Sequence, residues 1–157
     1  MASNPNNFIW YELMTTDVAA AEAFYCAVIG WSAQDPEVGR QHEYTLMRIG
    51  KSGVAGMMTM PEEAAKAGGR PGWVGYIGVD DTDSKVGELA AKGCKIYKQP
   101  TDIHDVGRFA VVAGPQGAVF MLFTPVGEAP AGRLAPNAPG TVGWRELQAV
   151  DGSGGFD

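Results

Sequence analysis

The sequence predicts an α+β fold made of two consecutive strand–helix–strand–strand–strand repeats. Three observations carry this: alternating apolar strands next to amphipathic helices, turn residues that punctuate them, and a pattern that starts again about halfway along the chain. The 157 residues are 45% hydrophobic and 19% charged, enough for one filled core or two small repeats sharing one.

The first repeat opens with FIWYELM, an alternating strand without Gly or Pro. Asp17 is a helix N-cap and Gly30 a C′ residue, and between them Val18, Ala21, Phe24, Tyr25 and Val28 recur at helical spacing. A short strand is expected near Ser32 to Gln34, then HEYTLMRIG and VAGMMTMP as a hairpin turning between Gly50 and Gly53. A Pro- and Gly-rich connection follows, with a short helix expected at Glu62 to Ala67. WVGYIGVDD then restarts the pattern as a strand, TDSKVGELAAKG reads as a capped helix, and CKIYKQP, GRFAVVA and AVFMLFTP read as strands. GPQG is the turn before the last of them.

The repeats align residue by residue. Setting Asp17 against Asp81 places Trp10 opposite Val74 and Glu12 opposite Tyr76. Setting Gly53 against Gly117 places Met57 opposite Met121 and Pro61 opposite Pro125. Modules 8–61 and 73–125 therefore make one domain over residues 1–125, and their concave faces are expected to form one cleft. Residues 126–140 read as an extended, mobile Ala/Pro/Gly linker. At 141–157 the opening motif begins a third time, since Gly143-Trp144-Arg145-Glu146-Leu147 echoes Ile9-Trp10-Tyr11-Glu12-Leu13. This stretch is expected to be the truncated start of a second domain. Its strand, 141–150, would have unpaired edges, so it is expected either to be disordered or to pair with another molecule; a homodimer is expected, with this strand as one candidate seam.

A net charge of −6 and the lack of any Lys/Arg run exclude nucleic acid as a natural partner. Nothing approaches a membrane span or a signal peptide, so a soluble, cytoplasmic protein with no membrane partner is expected. Cys26 and Cys94 are expected to be ordinary thiols. Nucleophile-elbow and phosphate-cradle motifs are missing.

The TTD turn with AEAFYCAVIGW, together with VDDTDSKVGELAAKG and GRFAVVAGPQGAVFMLFTP, resembles the vicinal oxygen chelate superfamily. That superfamily includes glyoxalase I, extradiol dioxygenases and bleomycin resistance proteins. The resemblance covers Phe8 to Pro125 and points to the glyoxalase-like, lactoylglutathione-lyase-related group, whose longer members hold two such domains in tandem. It implies two βαβββ modules with a curved, mostly antiparallel sheet around a cleft. It also implies metal-ligand positions at Trp10, Met57, Val74 and Met121. All four are apolar and unsuited to a divalent ion, so no cofactor is expected.

By strand alternation the cleft would be lined by Trp10, Met14, Tyr44, Met57, Val74, Tyr76, Met121 and Phe123, which suits a small apolar or aromatic ligand. Glu12, between Trp10 and Met14, is the candidate catalytic residue: a desolvated carboxylate serves as general acid or base, or as a counter-charge. A salt bridge to Arg48 or Arg108 is the structural alternative for it. A divalent metal held by Glu12, His42 and His104 is the alternative site, and it would make the protein a lyase, isomerase or dioxygenase. Sequestration of an antibiotic is the non-catalytic form of the first reading, and the relatives that do this often build the pocket across a homodimer.

Overall fold

The computed structural model describes residues 6–34, 44–127, 134–135 and 137–154. In chain order the elements are β1 (Phe8–Thr15), α1 (Val18–Ile29), β2 (Ser32–Gln34), β3 (Tyr44–Ile49), β4 (Ser52–Thr59), α2 (Glu62–Lys66), β5 (Gly72–Gly78), α3 (Thr82–Ala91), β6 (Lys95–Ile103), β7 (Gly107–Ala113) and β8 (Val119–Pro125). This is the α+β succession of two βαβββ modules.

Capping sets both long helices. The Asp17 carboxylate accepts from the Ala20 amide at 2.9 Å, and Gly30, at φ +80, closes α1 by donating to the Cys26 carbonyl. Asp81 caps α3 in the same way, through the Ser84 amide at 2.7 Å.

Two compact units divide the chain. One holds residues 10–74 and a later segment ending at Gly143; the other holds the chain up to Ile9, residues 75–129 and everything from Trp144 on. In the first, the strands run in the order β2-β3-β4-β1, with β1 parallel to β4 and the other pairs antiparallel. In the second the order is β5-β8-β7-β6, with β5 parallel to β8.

The core of the first unit lies between α1 and one face of its sheet. Leu13, Trp31, Met47, Ala55 and Met57 are buried there, and Val18, Ala21, Tyr25 and Cys26 of α1 pack on them. Spacing had also assigned Phe24 and Val28 to this side, but they are 56% and 65% exposed. The helix VAAAEAFYCAVI is apolar almost all round, so its periodicity does not identify the buried stripe. Tyr25 stacks on Trp31 at 5.5 Å and accepts a 2.7 Å hydrogen bond from the Trp73 indole. The core of the second unit is Val79, Val86, Ala110, Val112 and Leu122 beneath α3.

The later segment of the first unit departs from the mobile linker expected before residue 140. Its described part forms a turn, with Asn137 at φ +66 and Thr141 bonded to the Ala138 carbonyl through both its amide and its hydroxyl. The Trp31 indole donates to the Gly140 carbonyl at 2.9 Å, which fastens this turn to the core. Residues 141–150 form no strand. In the second unit, Gln116 instead grips the backbone of Asp151 through both ends of its amide, each bond 2.8 Å, and Arg145 lies over the Phe8 ring. Among the described residues no helix is long and apolar enough to cross a membrane.

Candidate functional site

In the first unit, strand register decides which side chains share the face turned away from α1. Gln34 pairs with Leu46, Leu46 with Gly56, and Gly56 with Glu12, so these four form one row across the sheet. Paired residues point to the same side, and each strand alternates. Trp10, Met14, Tyr44, Arg48 and Met58 therefore share this face with Glu12.

Glu12 is only 4% exposed. It is met by Tyr44, whose hydroxyl donates to the carboxylate while accepting from the Trp10 indole N–H at 3.0 Å. The result is a directional chain from Trp10 through Tyr44 to Glu12. Glycine makes it possible, because a Cβ at Gly56 would overlap the Tyr44 hydroxyl, and the Trp10 ring lies over Gly53. Two glycines in a strand interior signal this close approach.

Burial, followed by the nearby Glu12 charge, raises the Tyr44 pKa well above the usual phenol value. Tyr44 is therefore a neutral donor throughout the physiological range. The sign for stability follows. An unfolded phenol ionises near about pH 10, whereas the folded one still holds its proton there, so the folded state binds more protons and stability falls as pH rises above that value. We expect wild-type protein to lose stability from about pH 10 upward in urea melts, and Tyr44→Phe to flatten that slope. An unchanged slope would show that Tyr44 is not held protonated.

Met57 requires a correction. The gap-free repeat alignment placed it with Met121 on the ligand side, but it is fully buried on the opposite face, against α1. The hairpins explain the slip. β3 and β4 are joined by Gly50 and Lys51 alone, whereas Gly114 to Ala118 join β7 to β8. The alignment thus set Gly117, a turn residue at φ +91, against Gly53, which lies inside β4. By register the counterpart of Met121 is Gly56, since Glu12 pairs with Gly56 as Tyr76 pairs with Met121.

In the second unit, Tyr76, Met121 and Phe123 share the face turned away from α3, with the Tyr76 and Phe123 rings edge-to-face at 6.0 Å. Val74, half-buried and the last residue of the first unit's 10–74 segment, has the same strand parity on β5 as Tyr76. Arg108 is held by Asp83, through a two-bonded fork at 2.5 and 2.9 Å, and by Asp102 at 2.8 Å. This grip keeps the Asp83 carboxyl below its ordinary range.

The metal question comes down to the donor set. The first and last strand positions of the modules offer Trp10, Gly56, Val74 and Met121, which present indole, no side chain, alkyl and thioether. These do not fit a hard or borderline divalent ion. His104 is 93% exposed and pairs with Asp105 at 2.7 Å, and His42 lies outside the described residues. Among the described residues no group of three or more His, Cys, Asp or Glu is arranged to hold a metal.

Sequence reasoning missed Gly56, Met58 and Gln34 as part of this face. The paired glycines of SGVAGMM were the available signal for it.

The order of elements and the register of both modules define the class. The chain belongs to the Glyoxalase/Bleomycin resistance protein/Dioxygenase superfamily, whose profile matches residues 7–122. Among its relatives is CFP32 of Mycobacterium tuberculosis, named provisionally as a glyoxylase, at 36% identity over 80% of this chain and 46% of that protein. The anthracycline biosynthesis protein DnrV of Streptomyces peucetius is 31% identical over 92% of this chain and 55% of its own. The chain thus spans about half the length of these curated relatives. Among solved structures, the Mn(II)-bound glyoxalase of Novosphingobium aromaticivorans superposes with a TM-score of 0.52 at 20% identity, covering 83% of this chain and 42% of that one. That likeness speaks for the fold.

Proposed function

We propose that this glyoxalase-like chain binds a small, planar, apolar or aromatic molecule on the sheet face that carries Trp10, Glu12 and Tyr44, with no metal at the family's usual positions. The observation that carries this reading is the buried Glu12 carboxylate, bonded to the Tyr44 phenol and set among half-buried Met14, Leu46 and Met58. Thioether and aromatic surface around a fixed polar point suits a flat ring system with one polar substituent. The relationship to DnrV, named for anthracycline biosynthesis, supports a polycyclic aromatic ligand.

The alternative is a divalent-metal lyase, isomerase or dioxygenase with displaced ligands, and one pair of measurements separates the two. Titration with 2-acetonaphthone, followed by tryptophan fluorescence, should saturate, and Trp10→Ala should weaken binding by about three- to tenfold, the value of one aromatic pair. Metal content is measured in parallel after dialysis against mixed divalent ions. Near-stoichiometric metal that is lost on Glu12→Gln would overturn the metal-free reading.

A further inference from the structure

Two polar atoms in the first unit are buried without a hydrogen-bond partner among the described residues: the Oε1 of Gln34 and the Nε of Arg48. Buried polar atoms are nearly always paired, so each exception calls for an explanation. One of these is an acceptor and the other a donor.

Register places them together. Gln34 pairs with Leu46 and Arg48 lies two residues further along β3, opposite Ser32, so the two side chains are diagonal neighbours on one face. Such positions lie roughly 7–8 Å apart at the backbone, within reach of long side chains. It is also the face of Glu12 and Tyr44, and Gln34 stands in the row of Glu12.

We infer that Gln34 and Arg48 form a polar subsite for a ligand edge that presents an acceptor beside a donor, as a primary carboxamide or a hydroxyl-flanked carbonyl does. This deepens the reading of the same face given above and rests on it. The Arg48 Nε–H would donate to the ligand carbonyl, and the Gln34 carbonyl would accept from its N–H or O–H. A carboxylate satisfies only the arginine and sets a negative charge against the Gln34 oxygen. The subsite therefore prefers the neutral donor–acceptor edge, whereas an arginine alone would favour the anion.

Three ligands with one ring system test it: 2-naphthamide, 2-acetonaphthone and 2-naphthoate. In the wild-type protein the amide should bind on the order of tenfold more tightly than the ketone, the yield of one well-formed hydrogen bond, and more tightly than the carboxylate. The double variant Gln34→Leu/Arg48→Met should bind amide and ketone alike. It should also be no less stable than wild type in urea, because it removes two unsatisfied polar atoms, whereas a structural role for the pair would lower stability. Gln34→Leu alone, on the short strand β2, gives the same readout if the double variant does not fold. Naphthoate binding as tightly as naphthamide, or an amide preference that survives the substitutions, would overturn the subsite while leaving the aromatic site standing. Failure of all three ligands to bind would overturn the proposed function itself.

Discussion

Met57→Ala is expected to destabilise the protein by about 2–5 kcal/mol, the usual range for truncating a long apolar side chain in a packed core. Met57 is fully buried, pairs with Leu13 on β1 and Thr45 on β3, and lies in the cluster that holds Met47, Ala55 and Trp31 against α1. Removing its thioether leaves a void among neighbours fixed by two ladders and a helix, so little collapse can fill it. Binding of 2-acetonaphthone to the folded fraction should be unchanged, because Met57 is on the far side of the sheet. Urea denaturation with a parallel fluorescence titration measures both. Near-wild-type stability together with weakened binding would return Met57 to the ligand face and undo the register assigned to β4.

Gly56→Ala should destabilise by about 1–3 kcal/mol through overpacking and should also weaken ligand binding. The new methyl occupies the place of the Tyr44 hydroxyl, so the ring must swing away and give up its bonds to both Trp10 and Glu12. The buried carboxylate then loses that donor, and a hydrogen bond to a charged group contributes about 1.5–3 kcal/mol. Combining Gly56→Ala with Tyr44→Phe separates the two contributions. If the hydrogen-bond chain is what Gly56 protects, the double variant should be destabilised by less than the sum of the single ones. Full additivity would mean that Gly56 and Tyr44 act independently.

The candidate site was half legible in the sequence. Strand alternation alone brought Trp10, Glu12 and Met14 to one side of β1, and Tyr44, Leu46 and Arg48 to one side of β3, because a period of two fixes the face within any one strand. It could not fix the face of β4 relative to its neighbours. That depends on hairpin length and on the irregularity between Met47 and Arg48, where Arg48 pairs with Gly53 and the ladder shifts by one. Gly117 and Gly53 look alike in a string of letters but occupy a left-handed turn and a strand interior. Charge pairing was undecided for the same reason. Arg108 was a candidate partner for Glu12, and only the packing of α3 on β7 and the pairing of β6 with β7 show that Asp83 and Asp102 hold it.

Taken by itself, the sequence determined the succession of elements, the caps at Asp17 and Gly30, the short β2, and the family. These are local or repeated features, written in propensity, period and turn chemistry within a few residues. The tertiary structure alone decided that α1 packs half-buried Tyr25 and Cys26 on the core but exposes Phe24 and Val28, that Trp31 fastens the turn at Gly140, and that Tyr44 lies over Gly56 to reach Glu12. Each of these joins residues far apart in the chain, and which partner a side chain finds is fixed by ladder register and packing, which no local pattern encodes.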